Sequence, residues 1–198
     1  MGDKVLIATG RRAQTAALGL ELVGLQLNQQ GQIDVDENYQ TAVTGIYAIG
    51  DLIPGAMLAH KASDEGRIFA ERLAGKNTKL DYKLIPAVTY THPEVASVGA
   101  SEAHLKDQGI TYKTGKTFFA ASGRAHCAGT TDGFVKIIAA PDGGTIYGIH
   151  IIGPQASELI AVAGAILAQG GTAHDLAAIC HAHPTLAETL KEAALAVI

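Results

Sequence analysis

Two histidines one residue apart, His181 and His183, are the residues near the end of the chain best suited to acid–base chemistry. They lie in the segment CHAHPTLAETLKEA, residues 180–193. Proline disfavours the α conformation in the residue before it, so we expect His183 to be extended at the entrance of a helix that begins at Pro184. Glu188 lies just inside that predicted helix. A carboxylate near an imidazole orients it and raises its basicity, so His183 and Glu188 form a candidate general-base pair.

A purely structural interpretation of Glu188 is also open. Thr185 and Glu188 have the spacing of a helix capping box. In that motif the glutamate carboxylate accepts a hydrogen bond from a free backbone N–H and has no chemical role. The residues by themselves do not decide between the two interpretations.

A metal site is a third possibility, since Cys180, His181 and His183 are close in sequence. Zinc prefers four ligands in paired spacing. The nearest further candidates, His174 and Cys127, are isolated in the sequence. We therefore predict no metal site.

The composition is that of a folded globular protein without affinity for polyanions. Of the 198 residues, 47% are hydrophobic and 17% are charged, which allows a substantial core and argues against disorder. The formal net charge is −4, and lysines and arginines are scattered along the chain. This pattern argues against binding to nucleic acids or acidic membranes, so we expect a small-molecule or protein partner.

Cysteine content and apolar segments bear on the compartment. The chain has two cysteines, too few for a disulfide framework, which favours a reducing environment. The first residues, MGDKVLIATGRR, lack the apolar region of a signal peptide. The most apolar stretch, residues 159–168, is half the ~20 residues needed to cross a bilayer. We expect a cytoplasmic protein with no membrane span.

The N-terminal part of the chain has the pattern of half a nucleotide-binding unit. KVLIATG, residues 4–10, is a continuous apolar run that predicts a strand buried on both faces. Such a strand needs neighbours, so the chain has the character of a piece of a larger protein. TGIYAIGD, residues 44–51, predicts a second strand, and residues 60–73 predict a helix with Ile68, Phe69 and Leu73 facing inward.

The pattern changes near residues 80–93, where two prolines mark a linker and a new strand. Alternation predicts strands over 112–119 and 134–140, and PDGG at 141–144 is typical of a hairpin turn into a third strand, 145–152. Predicted helices complete the region. They cover residues 101–109, 157–169 and Pro184 to the end. This is an α+β arrangement, an antiparallel sheet with helices on one side.

Seven segments occur in an order that resembles the C-terminal part of the dihydrolipoamide dehydrogenases, within the FAD-dependent pyridine nucleotide-disulfide oxidoreductase family. They are VLIATGRR, GIYAIGD, MLAHKASDEG, YTHPEVASVG, GFVKII, GIHIIGPQASELI and HAHPTLAET. By this resemblance, residues 1–80 are the C-terminal segment of an α/β FAD/NAD-binding region. Residues 84–198 are an interface, or dimerisation, domain. Related disulfide reductases of the glutathione or mercuric type, and a purely structural dimerisation module, are the alternatives.

The resemblance implies the cofactors FAD and NAD, a homodimer, and a lipoyl-bearing protein of a 2-oxo acid dehydrogenase or glycine cleavage complex as partner. In this family, a histidine corresponding to His183 is the base that serves the redox disulfide of the other subunit, and Glu188 orients it. The role of His181 stays open. The FAD-binding G-x-G-x-x-G and the redox C-x-x-x-x-C are missing from the sequence. We therefore expect the isolated chain to be inactive and to retain no FAD.

The resemblance also implies a flavin-binding role for a second group of residues. Asp51 corresponds to the aspartate that accepts hydrogen bonds from the ribityl hydroxyls of FAD. Leu58, Ala59 and His60 open the next helix, whose N-terminus would point toward the flavin pyrimidine edge. A turn-forming or capping role is the alternative for Asp51.

The apolar segment SELIAVAGAILAQG predicts a subunit contact. Its apolar residues cover most of the circumference of a helix, more than one sheet face can bury. They are Leu159, Ile160, Val162, Ala163, Ile166 and Leu167. We expect the surplus to be covered in a two-fold dimer.

Overall fold

The computed structural model describes residues 2–198. The chain divides into two compact units, one ending at Leu80 and the other spanning Asp81–Ile198. Each unit has its own group of buried apolar side chains. The two are described separately.

The first unit is built around one long helix, α1, Ala59–Leu73. Two short 3₁₀ helices, Leu20–Val23 and Gly50–Leu52, lie in the otherwise irregular chain before it. The helix begins and ends within a residue of the prediction. Of the three side chains predicted to face inward, Ile68 is buried and Phe69 is partly buried, but Leu73 is 67% exposed, so that part of the prediction is wrong.

The strand predicted over residues 4–10 is wrong. The segment has no strand structure, and Val5, Leu6 and Ile7 are 90%, 89% and 80% exposed. The physical reason is that a strand buried on both faces exists only between neighbours, and within residues 2–198 this segment has no strand to pair with. The strand predicted over 44–51 is reduced to an isolated bridge between Gln40 and Tyr47 for the same reason.

The second unit contains the predicted antiparallel sheet. Within the described residues it has five strands in the order β1-β2-β5-β4-β3, all antiparallel. They are β1, Ala87–Thr89; β2, Glu94–Gly99; β3, Lys113–Phe118; β4, Phe134–Ala139; and β5, Ile146–Gly153. The prediction of an antiparallel sheet with helices is confirmed.

The turn between β4 and β5 forms where the sequence predicts it. Gly143 has φ +73°, the left-handed region that glycine tolerates. The Asp142 carboxylate accepts a hydrogen bond from the Gly144 N–H at 2.9 Å, as is typical of an Asx turn. The β4–β5 register shifts by one residue between Ile138 and Ala139, and beyond this irregularity Lys136 lies opposite His150.

The helices of the second unit are α2, Glu102–Asp107; α3, Gly123–Ala128; α4, Ala156–Ala168; α5, Ala173–Ala178; and α6, Glu188–Leu195. Helix α4 packs against β2 and β5, and α6 packs against β3 and β4. The core lies between these two helices and the alternate sheet residues that face them, such as Val135, Ile137, Ile149 and Ile151.

Close packing of α6 on the sheet depends on one glycine. A Cβ atom at Gly115 of β3 would lie 2.2 Å from the Ala193 carbonyl oxygen of α6. Any side chain here would push the helix away from the sheet. The C-terminal half of α6 is thereby kept close to the edge strand β3.

The helix predicted from Pro184 begins only at Glu188. Local side-chain bonds occupy the residues before it. Thr185 Oγ1 donates to the Ala182 carbonyl at 2.7 Å, and the Thr185 N–H donates to the Glu188 carboxylate at 2.7 Å. These bonds satisfy backbone hydrogen-bonding groups near Thr185 without helical structure. The helix therefore begins four residues after the proline.

The apolar helix α4 buries most of its large side chains within the unit. Leu159, Ile160, Ala163 and Leu167 are buried, whereas Val162 is 39% exposed. The sheet therefore covers more of α4 than we expected from the sequence. No helix among residues 2–198 is both long and apolar enough to cross a membrane.

Candidate functional site

His183 and Glu188 are brought together as predicted. His183 Nδ1 lies 2.8 Å from Glu188 Oε1, and because a carboxylate only accepts, Nδ1 carries the hydrogen of this bond. The histidine side chain is 79% exposed and that of the glutamate 30%. The imidazole is therefore oriented by the carboxylate while its other nitrogen, Nε2, stays accessible.

The structure contains the contact on which each interpretation of Glu188 depends, because its two carboxylate oxygens have different partners. Oε1 faces His183, and Oε2 accepts the Thr185 N–H at 2.7 Å. Both bonds lower the pKa of the Glu188 carboxyl, the Thr185 N–H most strongly and the His183 side chain next. The carboxylate is accordingly ionised near neutral pH and can stabilise a protonated imidazole.

The segment that carries His183, residues 179–184, has no backbone–backbone hydrogen bond donated by its N–H groups within the described chain. Side chains hold it instead. His181 Nδ1 donates to the Ile179 carbonyl at 3.1 Å, and Lys191 Nζ from α6 donates to the same oxygen at 3.1 Å. The structure thus gives His181 a local bond to the segment that leads to His183.

His183 and Glu188 line an open cavity of about 490 Å³ between β3 and the start of α6. Lys116 is part of the same wall, and its ammonium lies 3.7 Å from the centre of the Phe134 ring, within cation–π distance. A base at the rim of an open cavity can take a proton from a molecule that enters it.

Asp51 lies in the 3₁₀ turn Gly50–Leu52 and is exposed. Helix α1 begins at Ala59 with Leu58 as its N-cap, and no side chain caps it. Ala59 and His60 are exposed, and Leu58 is partly exposed. The first unit therefore presents an accessible carboxylate and an accessible, uncapped helix N-terminus with its positive dipole end.

The sequence reasoning missed the residues that hold this turn. Lys61 and Glu65 are 1% and 0% exposed and form an ion pair of 2.8 Å. Glu65 Oε2 accepts the Gly50 N–H at 2.7 Å, and Lys61 Nζ donates to the Gly50 carbonyl at 3.2 Å. A pair at i and i+4 is usually solvent-exposed. The spacing of residues 61, 65 and 68 places this pair on the same helix face as the apolar Ile68. That position is the sequence signal that distinguishes it from a solvent-exposed pair.

The described residues contain no cluster of three or more metal-ligating His, Cys, Asp or Glu side chains. Cys127 and Cys180 are free thiols and are exposed. A donor set that suits zinc is therefore not assembled in this part of the chain.

Profiles of two protein domains match the chain. Residues 85–194 match the dimerisation domain of the pyridine nucleotide-disulphide oxidoreductases, and residues 1–66 match the pyridine nucleotide-disulphide oxidoreductase domain. The chain belongs to this family. The resemblance to dihydrolipoamide dehydrogenases inferred from the seven segments is likewise confirmed by the curated relatives.

Mitochondrial dihydrolipoyl dehydrogenase from Sus scrofa is 50% identical to this member of the family over 194 residues, 98% of this chain. The enzyme from Homo sapiens is 49% identical over the same length. The chain spans 38% of the length of each relative. The chain therefore corresponds to only part of each of these relatives.

Two solved structures of the family have the same fold. LpdA from Mycobacterium tuberculosis has a TM-score of 0.87 and 30% identity, and the match covers 94% of this chain and 41% of that one. The HOCl-induced flavoprotein disulfide reductase RclA from Escherichia coli also has a TM-score of 0.87, with 25% identity, covering 96% and 44%. These likenesses agree with an oxidoreductase parent.

The residues present fit part of the flavin that the family implies. A carboxylate can accept hydrogen bonds from two hydroxyl groups, and the Asp51 carboxylate is exposed. The residue before it, Gly50, is held at its N–H by Glu65 and at its carbonyl by Lys61. An uncapped helix N-terminus suits a group that becomes negative on reduction. The G-x-G-x-x-G phosphate-binding pattern is not in this sequence, so the test of fit is limited to the sugar chain and the ring edge of a flavin.

Proposed function

We propose that the chain is the C-terminal part of a flavin-dependent dihydrolipoyl dehydrogenase, which oxidises dihydrolipoamide with NAD⁺ to lipoamide and NADH. The observation that carries the proposal is the His183–Glu188 pair. Its ionised carboxylate is fixed at both oxygens, and its imidazole has one nitrogen exposed at a cavity. This is the arrangement that a dithiol oxidation needs, because the thiols must lose their protons.

In this proposal, His183 Nε2 accepts the proton of a substrate thiol and Glu188 stabilises the resulting imidazolium. Oxidation of the dithiol to the cyclic disulfide releases two protons and two electrons. Both electrons and one proton leave as hydride on NADH, and His183 passes the other proton to solvent. FAD, when bound, supplies the electron transfer between the dithiol and the nicotinamide.

We also propose that the base acts in a homodimer on the redox disulfide of the partner subunit. Three features support this arrangement. The second unit matches a dimerisation domain, His183 is exposed on its surface, and the present sequence has no C-x-x-x-x-C pair of its own. Consequently, we expect the isolated chain to be inactive.

For the flavin itself, we propose Asp51 as the ligand of the ribityl hydroxyls. The helix start at Leu58, Ala59 and His60 would lie at the ring edge. The partner we propose is a lipoyl-bearing protein, in keeping with the names of the curated relatives. The cytoplasmic location stays a prediction; those relatives are named as mitochondrial.

The test uses the full-length protein that contains this chain. His183→Gln should leave the flavin absorption spectrum unchanged and lower the turnover of dihydrolipoamide by on the order of a hundredfold, the usual contribution of a positioned base. His174→Gln, at another exposed histidine of the same unit, is the matched control and should turn over normally. Near-normal turnover by His183→Gln would contradict the proposal, and preferential turnover of glutathione disulfide would favour the glutathione-type alternative.

A further inference from the structure

The strongest feature outside the base site is the buried pair Lys61–Glu65 in the first unit. Both side chains are almost completely excluded from solvent. Charged side chains are buried only at a large cost in hydration, which neutral residues of similar volume would avoid. Some property other than packing must therefore account for the charges.

The pair binds both polar groups of a single residue, Gly50. Glu65 accepts its N–H at 2.7 Å, and Lys61 donates to its carbonyl at 3.2 Å. Gly50 has φ +72°, and a Cβ atom there would lie 3.2 Å from the Ala62 Cβ of α1. The backbone at Gly50 is thus close against the helix and fixed on both sides of its Cα atom.

Gly50 is the residue directly before Asp51, and its carbonyl belongs to the peptide group that also contains the Asp51 nitrogen. Fixing this peptide group fixes the positions of the Asp51 nitrogen and Cα atom, from which the Asp51 side chain extends. Apolar residues at 61 and 65 would fill the same space but offer neither an acceptor nor a donor to Gly50.

We propose that Lys61 and Glu65 are positioning residues for Asp51, holding the Gly50 peptide so that the Asp51 carboxylate meets the flavin ribityl chain. The inference rests on the proposed flavin role of Asp51. Neither residue touches the flavin; both act through Gly50. The exposed pair Arg67–Asp64 on the same helix binds no residue of the turn and serves as the comparison.

The first experiment compares two charge-free double variants in the full-length protein. K61M/E65Q keeps an acceptor for the Gly50 N–H, and K61M/E65M removes it. After flavin removal, the dissociation constant of FAD is measured from the quenching of its fluorescence. K61M/E65M should bind FAD about tenfold more weakly than K61M/E65Q, while R67M binds normally.

The same two variants are then measured with D51N added. If the pair acts through Asp51, the tenfold difference should shrink to less than about twofold. A difference that persists would overturn the positioning role, as would equal affinities of the two doubles in the first experiment. D51N alone with unchanged affinity would instead refute the flavin role of Asp51, so the two failures are distinguishable.

A second measurement needs neither flavin nor variants. In the unmodified 198-residue chain, hydrogen exchange of the Gly50 amide should be about a hundredfold slower than in an unfolded peptide, because its N–H is bonded to a buried carboxylate. Fast exchange would refute the hydrogen bond on which the inference depends, even if a double variant failed to fold.

Discussion

The two candidate sites are held by the same kinds of side chain under opposite conditions. In the first unit, a lysine and a glutamate excluded from water bind the backbone of Gly50. In the second, a glutamate and a lysine near the surface hold the segment that carries His183. A turn that only presents a ligand gains from rigidity. A base must exchange protons with substrate and solvent, so its support has to stay accessible.

This difference predicts where free energy is lost on mutation. Removing one partner of a buried ion pair leaves an uncompensated charge and costs about 3–5 kcal/mol of folding free energy. Surface pairs contribute about 0–1 kcal/mol. Mutations of the buried pair in the first unit should therefore mainly lower the free energy of unfolding. Mutations at the proposed base should mainly lower turnover.

The largest effect is expected for Glu65→Gln in the isolated chain. It strands the Lys61 ammonium in the interior, so the first unit should lose about 3 kcal/mol of unfolding free energy in urea, followed by circular dichroism. Arg67→Met, which breaks two surface pairs of the same helix, with Asp64 and Glu71, should lose less than about 1 kcal/mol. Equal losses in the two variants would abolish the contrast between buried and exposed pairs.

Glu188→Gln should separate the structural contact of this residue with Thr185 from its proposed role in catalysis. A glutamine oxygen can still accept the Thr185 N–H, but the amide NH₂ cannot accept from His183 Nδ1. In the full-length protein we expect unfolding free energy within about 0.5 kcal/mol of the unmodified protein and turnover reduced roughly tenfold to a hundredfold. Unchanged turnover would mean that the carboxylate serves the fold alone.

The half-buried His150 is intermediate between the buried Lys61–Glu65 pair and the exposed His183. Burial has the largest effect on the pKa of His150 and lowers it. The hydrogen bond to the Ala100 carbonyl opposes burial, Lys136 opposite the histidine on β4 lowers the pKa further, and Glu102 raises it least. The unfolded chain therefore binds a proton at higher pH than the folded one. Stability from this group is full above about pH 6.5 and is lost as the pH falls.

The measurement is urea unfolding of the second unit at pH 7.5 and pH 5.5. The unmodified chain should lose more stability between the two values than His150→Gln does, since glutamine does not titrate. Identical losses would show that His150 is not the group responsible.

The smallest effect is expected for Lys191→Met. Its single bond to the Ile179 carbonyl is near the surface, so the melting temperature should change by no more than about 2 °C. Turnover in the full-length protein should fall a few-fold with the KM for NAD⁺ unchanged, and Lys191→Arg should restore it. A variant with normal turnover would remove Lys191 from the support of His183.

The features predicted correctly from the sequence are local ones. The hairpin at 141–144, the helix after Asp51 and the contact between His183 and Glu188 each depend on residues within a few positions of one another. Short α5 was missed, although Thr172 and Asp175 form a complete capping box at its start. The six residues of α5 give too little apolar periodicity to recognise by that criterion, whereas α2, of the same length, was predicted.

What failed depends on distant residues. The run at 4–10 has the composition of a buried strand, but pairing depends on neighbours that its own sequence does not contain. Lysine and glutamate are not residue types that predict burial. Lys61 and Glu65 are buried because they share a helix face with Ile68 and because Gly50 packs against that face of α1. Contacts made across the chain decide both cases.

The exposed run Val5, Leu6 and Ile7 has a practical consequence for the isolated chain. Three adjacent large apolar side chains form an exposed hydrophobic segment whose backbone is in no strand. Identical molecules can associate through such a segment. A net charge of −4 provides only modest mutual repulsion. We expect this segment to promote association of the isolated chain, and Leu6→Lys should lower the aggregated fraction measured by light scattering.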